Sequence, residues 1–403
     1  MGKPLEGIKV VEVSQWAFVP ACGGALSDLG AEVIKVEPPS GDALRGLSIG
    51  SIGDASAINL SWESYNRGKK SITLDLKQVE GQAVLLKLLA DADVFLTNLL
   101  PPARVSMGLD AETIRAKFPT IIYASGSGTG PNGPDASKGG YDSISYWARG
   151  SISATMTEDG AEYPVGPPGP AFGDTMSGAM LAGAICAAIA KRALSGEPST
   201  VDVSLMGTAM WSMQRLIAQS TKDGNLRFPK PKNPKPFNPL VGNYRTSDDR
   251  YVSLCMLQAD KLWPGFCTAV GRDEWLTDPR YVDSKARQKN IDACYRDITE
   301  LFLTKTLVEW RAILATQAGP WDVVQEVGEM HKDVQVVANN YLQTVDYGDG
   351  STIPLVSLPW LFDGEALPAR RSPDLGADSD EVLASLGYDE EAIIDLKVKG
   401  VVF

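Results

Sequence analysis

The sequence predicts an α/β protein: a Rossmann-like large domain on a parallel sheet, joined to a smaller α+β domain. Three observations predict it. From Gly7 to Ser125, β-branched runs alternate with helical spacings. A stretch rich in proline and lysine, 221–243, interrupts the chain past its middle. The 403 residues, 44% of them hydrophobic, suffice for one large core and a second, smaller one.

Gly7 to Ser14 is β-branched and bounded by Gly7 and Pro20, which reads as a strand. Ala21 to Leu29 has helical spacing and closes on Gly30. Ala31 to Glu37 is a second strand, stopped by Pro38-Pro39. This is a βαβ unit, so a parallel sheet is expected. Ser71 to Leu76 is a strand, Glu80 to Leu89 a helix, Ala92 to Thr97 a strand, Ala111 to Lys117 a helix and Thr120 to Ser125 a strand. After a loop rich in Gly, Pro and Ser come the helix Asp174 to Leu194, the strand Val201 to Leu205 and a helix Met206 to Ser220. Tyr244 to Leu254 reads as a β-hairpin around an acidic turn, and helical patterns follow to about Gln335. Tyr341 to Val345 and Glu381 to Lys399 would rejoin the first domain. The expected division is 1–222 with 338–403 for the large domain and 223–337 for the small one.

Composition excludes much chemistry. A net charge of −12 argues against a broad nucleic-acid face. An anionic ligand would need local cations or backbone N–H groups. Five cysteines, none paired as C-x-x-C, suit a reducing compartment and suggest buried filler. The single histidine, His331, sits in a polar stretch and rules out multi-His zinc sites. No run of about 18 apolar residues occurs. Ala179 to Ala190, the most apolar stretch, reads as a buried helix. A cytoplasmic protein with no membrane partner is expected. A dinucleotide enzyme wants glycines after the first strand, but here that turn is Ser14-Gln15-Trp16-Ala17-Phe18-Val19-Pro20.

The most informative residue is Asp174, which opens the most apolar helix in Ala171-Phe172-Gly173-Asp174-Thr175-Met176-Ser177-Gly178. Taken alone, an Asp there reads first as a helix cap. Three features favour chemistry. Gly173 lets backbone approach closely, small residues let the helix pack tightly, and the helix N-terminus favours a carboxylate and any oxyanion formed beside it. A carboxylate is also a competent nucleophile toward an acyl group.

The chain resembles the class III CoA-transferases of the CaiB/BaiF superfamily, the group of formyl-CoA transferase and carnitine CoA-transferase. The resemblance is carried by Leu5-Glu6-Gly7-Ile8-Lys9-Val10-Val11-Glu12, Leu29-Gly30-Ala31-Glu32-Val33-Ile34-Lys35-Val36-Glu37-Pro38, and Asn66-Arg67-Gly68-Lys69-Lys70-Ser71-Ile72-Thr73-Leu74-Asp75-Leu76-Lys77. It continues through Gly139-Gly140-Tyr141-Asp142, Gly173-Asp174, Arg192-Ala193-Leu194-Ser195-Gly196 and Leu375-Gly376. It implies that Asp174 forms an aspartyl-acyl anhydride and then an aspartyl-CoA thioester. It implies an interlocked homodimer. It also implies an acyl-CoA donor, a carboxylic acid acceptor, and coenzyme A as substrate with no permanently bound cofactor or metal. CoA contacts would fall on Trp16, Ala17 and Phe18, on Leu74, Asp75, Leu76 and Lys77, and on Asn98 and Leu99. Tyr141 and Asp142 would belong to the substrate pocket. The chain departs from formyl-CoA transferase where Ala17 replaces a Gln, Pro38 an Arg, and Ser106 a phosphate-contacting Arg. Arg104 and Lys138 are the nearby cations that would compensate.

Two alternatives stand beside this reading. Racemases of the same superfamily use a Gly-His-Asp stretch for proton transfer, which here is Gly140-Tyr141-Asp142 and so lacks the histidine. A non-catalytic acyl-CoA binding protein would keep the pocket without the exchange. Trp147, Met156, Tyr163 and Met210 are candidates for an apolar acyl pocket, with core packing as the plainer reading.

Overall fold

In the computed structural model the described residues are 2–47, 58–231, 237–348 and 350–403. Pro234 and Pro236 of the proline-rich stretch lie outside them. The chain divides into two units, Met1–Pro229 with Gln335–Phe403, and Lys230–Val334.

The larger unit begins with β1 (Lys9–Val13), α1 (Phe18–Asp28) and β2 (Glu32–Glu37). It continues with α2 (Leu60–Asn66), β3 (Lys70–Thr73), α3 (Val79–Ala90), β4 (Val94–Thr97), α4 (Pro101–Ser106), α5 (Ala111–Lys117) and β5 (Ile122–Ser127). A π-helical turn (Asp142–Ala148), α6 (Ile152–Met156), α7 (Phe172–Ser195), β6 (Thr200–Ser204), α8 (Leu205–Ser212) and α9 (Gln214–Asp223) follow. The six strands form one sheet, β3-β2-β1-β4-β5-β6, parallel throughout. The doubly wound order reverses between β1 and β4, so a crevice opens at their carboxyl ends.

Both faces of the sheet are covered, as a parallel sheet requires. Val10, Val33, Val94, Leu96 and Ile122 face α1 and α7, whose Leu26, Leu181 and Ile185 complete that core. Val11, Val13, Val36, Ile72 and Phe95 face the other way, toward Val84 and Leu88 of α3. The chain's end joins this second core through Val382, Leu383, Leu396 and Val401.

Several elements differ from expectation. α1 starts at Phe18, three residues early, because Pro20 falls in the first turn, where its missing N–H costs no hydrogen bond. The expected single helix after β6 is two, α8 and α9, with the break at Met213. The loop before α7 contains two short helical segments. α7 has 24 residues, twice the apolar stretch that marked it, and is by length and composition alone able to cross a bilayer. Only one side of it packs inward, against α1.

In the smaller unit, β7 (Val241–Arg245) pairs antiparallel with β8 (Tyr251–Cys255), and β8 with β9 (Trp321–Val323). This sheet and helices α10 (Ala259–Ala269), α11 (Ile291–Phe302) and α12 (Leu307–Leu314) enclose an aromatic core of Tyr244, Trp263, Phe266, Phe302 and Trp310. His331 is exposed.

α1 and α7 touch at Gly178, where an added Cβ would lie 2.7 Å from Ala21 Cβ, 2.9 Å from Phe18 O and 3.0 Å from Cys22 N. Gly178→Ala is therefore expected to cost about 1–3 kcal/mol by overpacking. Gly183→Ala on the same helix, with no atom within 4 Å of its Cβ position, is expected to gain up to about 1 kcal/mol from helix propensity. Urea midpoints of both variants check the contrast.

Candidate active site

The crevice at the switch point is built by two turns that hold each other. After β1, Gln15 N–H donates to Asn98 Oδ1 (3.0 Å), and Asn98 Nδ2 donates back to Gln15 O (2.6 Å). Asn98 follows β4, so this pair ties the ends of the two neighbouring strands between which the sheet order reverses. The next residue, Trp16, has φ +71°, unfavourable for a bulky side chain. Its N–H donates to Asp42 Oδ1 (3.0 Å).

Below this turn lies a buried group of charges. Glu12 pairs with Lys35 (3.1 Å) and Lys69 (2.8 Å), and Lys35 pairs with Asp42 (2.9 Å), every partner fully buried. Burial pushes the Lys69 ammonium down to about 8, Glu12 opposing. Burial would raise the Glu12 carboxyl, but Lys69 and Lys35 hold it below the usual range.

Asp174 occupies the third position of α7, and it does not cap the helix. That role falls to Asp142, whose Oδ1 accepts from Gly173 N–H (2.9 Å). Gly173 is required there, because a Cβ would sit 2.3 Å from that oxygen and 2.2 Å from the Tyr146 ring. Ala171, just before the helix, takes a left-handed φ of +55° and makes no cap bond. Relieved of the cap, the Asp174 carboxylate accepts no hydrogen bond among the described residues. Burial, with the negative charge of Asp142 second, pushes its pKa up to about 7.

Two cavities meet at Asp174. The larger, about 360 Å³, runs from Gln15, Trp16 and Phe18 past Asn98, Leu99 and Leu100 to Arg104, Lys138 and Tyr141. The smaller, about 260 Å³, is lined by Trp16, Ala17, Leu44, Leu47, Tyr65 and Pro170, with Ser61, Ser143 and Asp142 as polar groups. Trp16, Tyr141 and Asp174 belong to both. The larger holds two cations. The smaller holds none among the described residues.

Similarity to known proteins decides the family. Residues 5–379 match CoA-transferase family III. The chain belongs to CoA-transferase family III. This CoA-transferase is 36% identical to cinnamoyl-CoA:phenyllactate CoA-transferase of Clostridium sporogenes over 401 residues, 97% of this chain and 95% of that protein. It is 36% identical to (R)-2-hydroxy-4-methylpentanoate CoA-transferase of Clostridioides difficile, covering 99% of both. Among solved structures it superposes on a CAIB/BAIF family protein of Brucella suis with a TM-score of 0.81 and 28% identity, over 96% of this chain and 100% of that one. It is thus an enzyme that moves CoA between an acyl-CoA and a carboxylate.

Most of the residues singled out from the sequence converge. Trp16, Ala17, Phe18, Asn98, Leu99, Arg104, Lys138, Tyr141, Asp142 and Asp174 line one cavity or both. Leu74, Asp75, Leu76 and Lys77 line neither. They sit past the edge strand β3, where Leu74 is buried in the core and Asp75 accepts from Lys77 N–H and Gln78. Of the apolar candidates, Trp147 is buried and donates to Val165 O (2.7 Å), while Met156, Tyr163 and Met210 are exposed. The smaller cavity instead uses Leu44, Leu47 and Tyr65, which no local pattern marks.

Asp174 ionises at about 7 in the fold and near 3.9 when unfolded. Its charge therefore opposes folding, and stability falls as pH rises from about 4 through 7. Asp174→Asn is expected to raise the melting temperature by a few degrees at pH 8, with the gain shrinking toward pH 5. Equal melting temperatures at pH 8 would contradict the burial of this charge.

Proposed function

We propose that this CoA-transferase works through covalent intermediates on Asp174. The carboxylate attacks the thioester carbonyl of an acyl-CoA. The C–S bond breaks, leaving an aspartyl-acyl anhydride and CoA thiolate. The thiolate attacks the aspartyl carbonyl, releasing the first acid as its carboxylate and forming an aspartyl-CoA thioester. The acceptor carboxylate displaces the thiolate to form a second anhydride. The thiolate then takes the acceptor's acyl group and restores Asp174. The observation that carries this reading is an unbonded carboxylate at the junction of two cavities. In the proposed orientation, Arg104 and Lys138 serve the CoA phosphates and the smaller cavity takes the acyl group.

The acids proposed are apolar monocarboxylates, with cinnamoyl-CoA as donor and phenyllactate as acceptor for a first assay. The cation-free lining among the described residues supports this. The names of the two relatives support it too. A second acceptor carboxylate, as in oxalate or succinate, would enter that cavity without a partner. We also propose an interlocked homodimer in the cytoplasm. Phe172, Met176 and Met180 form an exposed stripe at four-residue spacing on α7, with Trp211 exposed on α8, and a second copy would cover such a face.

Hydroxylamine added during turnover is expected to trap Asp174 as its hydroxamate, located by peptide mass. Asp174→Ala is expected to lose at least about a thousandfold in exchange rate. Label elsewhere, with exchange surviving in Asp174→Ala, would end the proposal. Because the attacking species is the carboxylate, kcat/KM is expected to rise with pH through about 7. Asp142→Asn keeps an oxygen for the Gly173 N–H but removes the charge, so the inflection is expected to move down. An unmoved inflection would show that Asp142 does not set it.

A further inference from the structure

The mechanism does not use the strained turn at Trp16. A bulky residue at φ +71° is unfavourable, and persists only where its surroundings over-determine it. Here they do. Asp42 Oδ1 accepts from both Trp16 N–H (3.0 Å) and Leu44 N–H (2.9 Å). Asp42 is itself held by the buried Lys35 (2.9 Å) and by its own N–H to Glu37 Oε2 (3.0 Å). Gln15, the preceding residue, is clamped twice by Asn98. The strained backbone aims the indole edge-on at Tyr141, ring centroids 5.5 Å apart and planes at 86°. These two rings and Asp174 are common to the two cavities.

Resting on the covalent reading of Asp174, we propose that Trp16, packed on Tyr141, is the wall between the CoA side and the acyl side of the site. Asp42 is its positioning residue, and the wall decides transfer over hydrolysis. The chemical need is specific. An acyl anhydride and an aspartyl-CoA thioester are both open to water. Water attacking the anhydride adds its oxygen to the acyl carbon and breaks that carbon's bond to the Asp174 oxygen. Both groups then return as carboxylates, and one of the released protons goes to the CoA thiolate. The net reaction is acyl-CoA plus water giving acid carboxylate, CoA thiol and a proton, with no acceptor consumed. Two aromatic rings closing the junction would keep water from Asp174 while one acid leaves and another enters.

The test follows two products in one assay of the intact enzyme with cinnamoyl-CoA and phenyllactate: free CoA thiol by colour, and phenyllactyl-CoA by mass spectrometry. Trp16→Gly removes the wall at a φ that glycine accepts without strain, so loss of fold does not explain its result. Its ratio of hydrolysis to transfer is expected to rise at least about tenfold. Asp42→Ala is expected to raise the same ratio with the indole still present, a readout that simple destabilisation does not move. Trp16→Phe, which keeps a ring, is expected to stay within about threefold of wild type. An unchanged ratio in Trp16→Gly would overturn the proposal. Wild-type enzyme that makes phenyllactyl-CoA yet carries no hydroxylamine label on Asp174 during turnover would instead remove the covalent reading and this inference with it.

Discussion

The hydrogen bond from Gly173 N–H to Asp142 Oδ1 is the contact on which the site depends. A 24-residue helix begins with backbone N–H groups that have no partner inside the helix. If Asp174 satisfied them, its carboxylate would turn back onto the backbone and be lost to chemistry. Asp142, from a segment 31 residues upstream, supplies the acceptor instead. The division of labour has an electrostatic cost. Two carboxylates stand close at one half-buried helix end, and the uncapped one is held near neutrality at about 7. Under the proposed mechanism such a group would be ionised often enough to attack, and poorly enough solvated to be reactive.

The second constraint lies one layer down. Glu12, Lys35, Lys69 and Asp42 are two anions and two cations with no net charge and no exposure. Buried pairs of this kind contribute little net stability, because desolvation offsets the attraction, but they punish displacement of any one partner. Above the quartet runs the turn where a dinucleotide-binding protein places glycines to let a phosphate approach. Here the turn carries Trp16 and Ala17 in place of glycines, and both residues line the smaller cavity.

Strands were legible because their residues are buried on both faces. Lys9–Val13 and Glu32–Glu37 are dense in β-branched side chains and separated by helical spacing, and Thr120-Ile121-Ile122-Tyr123 marks the start of Ile122–Ser127. Strand order was not, since which parallel neighbours pair depends on crossovers that no local run encodes. Pro20 misled because proline both ends strands and suits a helix's first turn, and its place in α1 emerges only with the helix. Asp174 was legible as an Asp at an apolar helix start. Its freedom was not, because the competing cap comes from another segment. Leu44, Leu47 and Tyr65 were invisible for a related reason: they reach the cavity from the residues after β2, with no periodicity to mark them. Asp42 showed nothing locally, since its meaning lies in Lys35 and Trp16.

An acidic protein that handles a polyanionic cofactor must solve a field problem. With net charge −12, long-range steering opposes the ligand, and attraction must come from a few placed cations. Arg104 and Lys138 are both on the larger cavity, and the smaller cavity has no cation among the described residues. Under the proposed orientation, that asymmetry would align the substrate before any specific contact forms. The phosphate end is favoured on one side of Trp16, and an uncharged acyl chain loses least by entering the other. In the proposed orientation the thioester, lying between them, would fall where Asp174 stands. Reversing the charges of the two cavities would place the reacting carbon away from the proposed nucleophile, even with every residue of α7 unchanged.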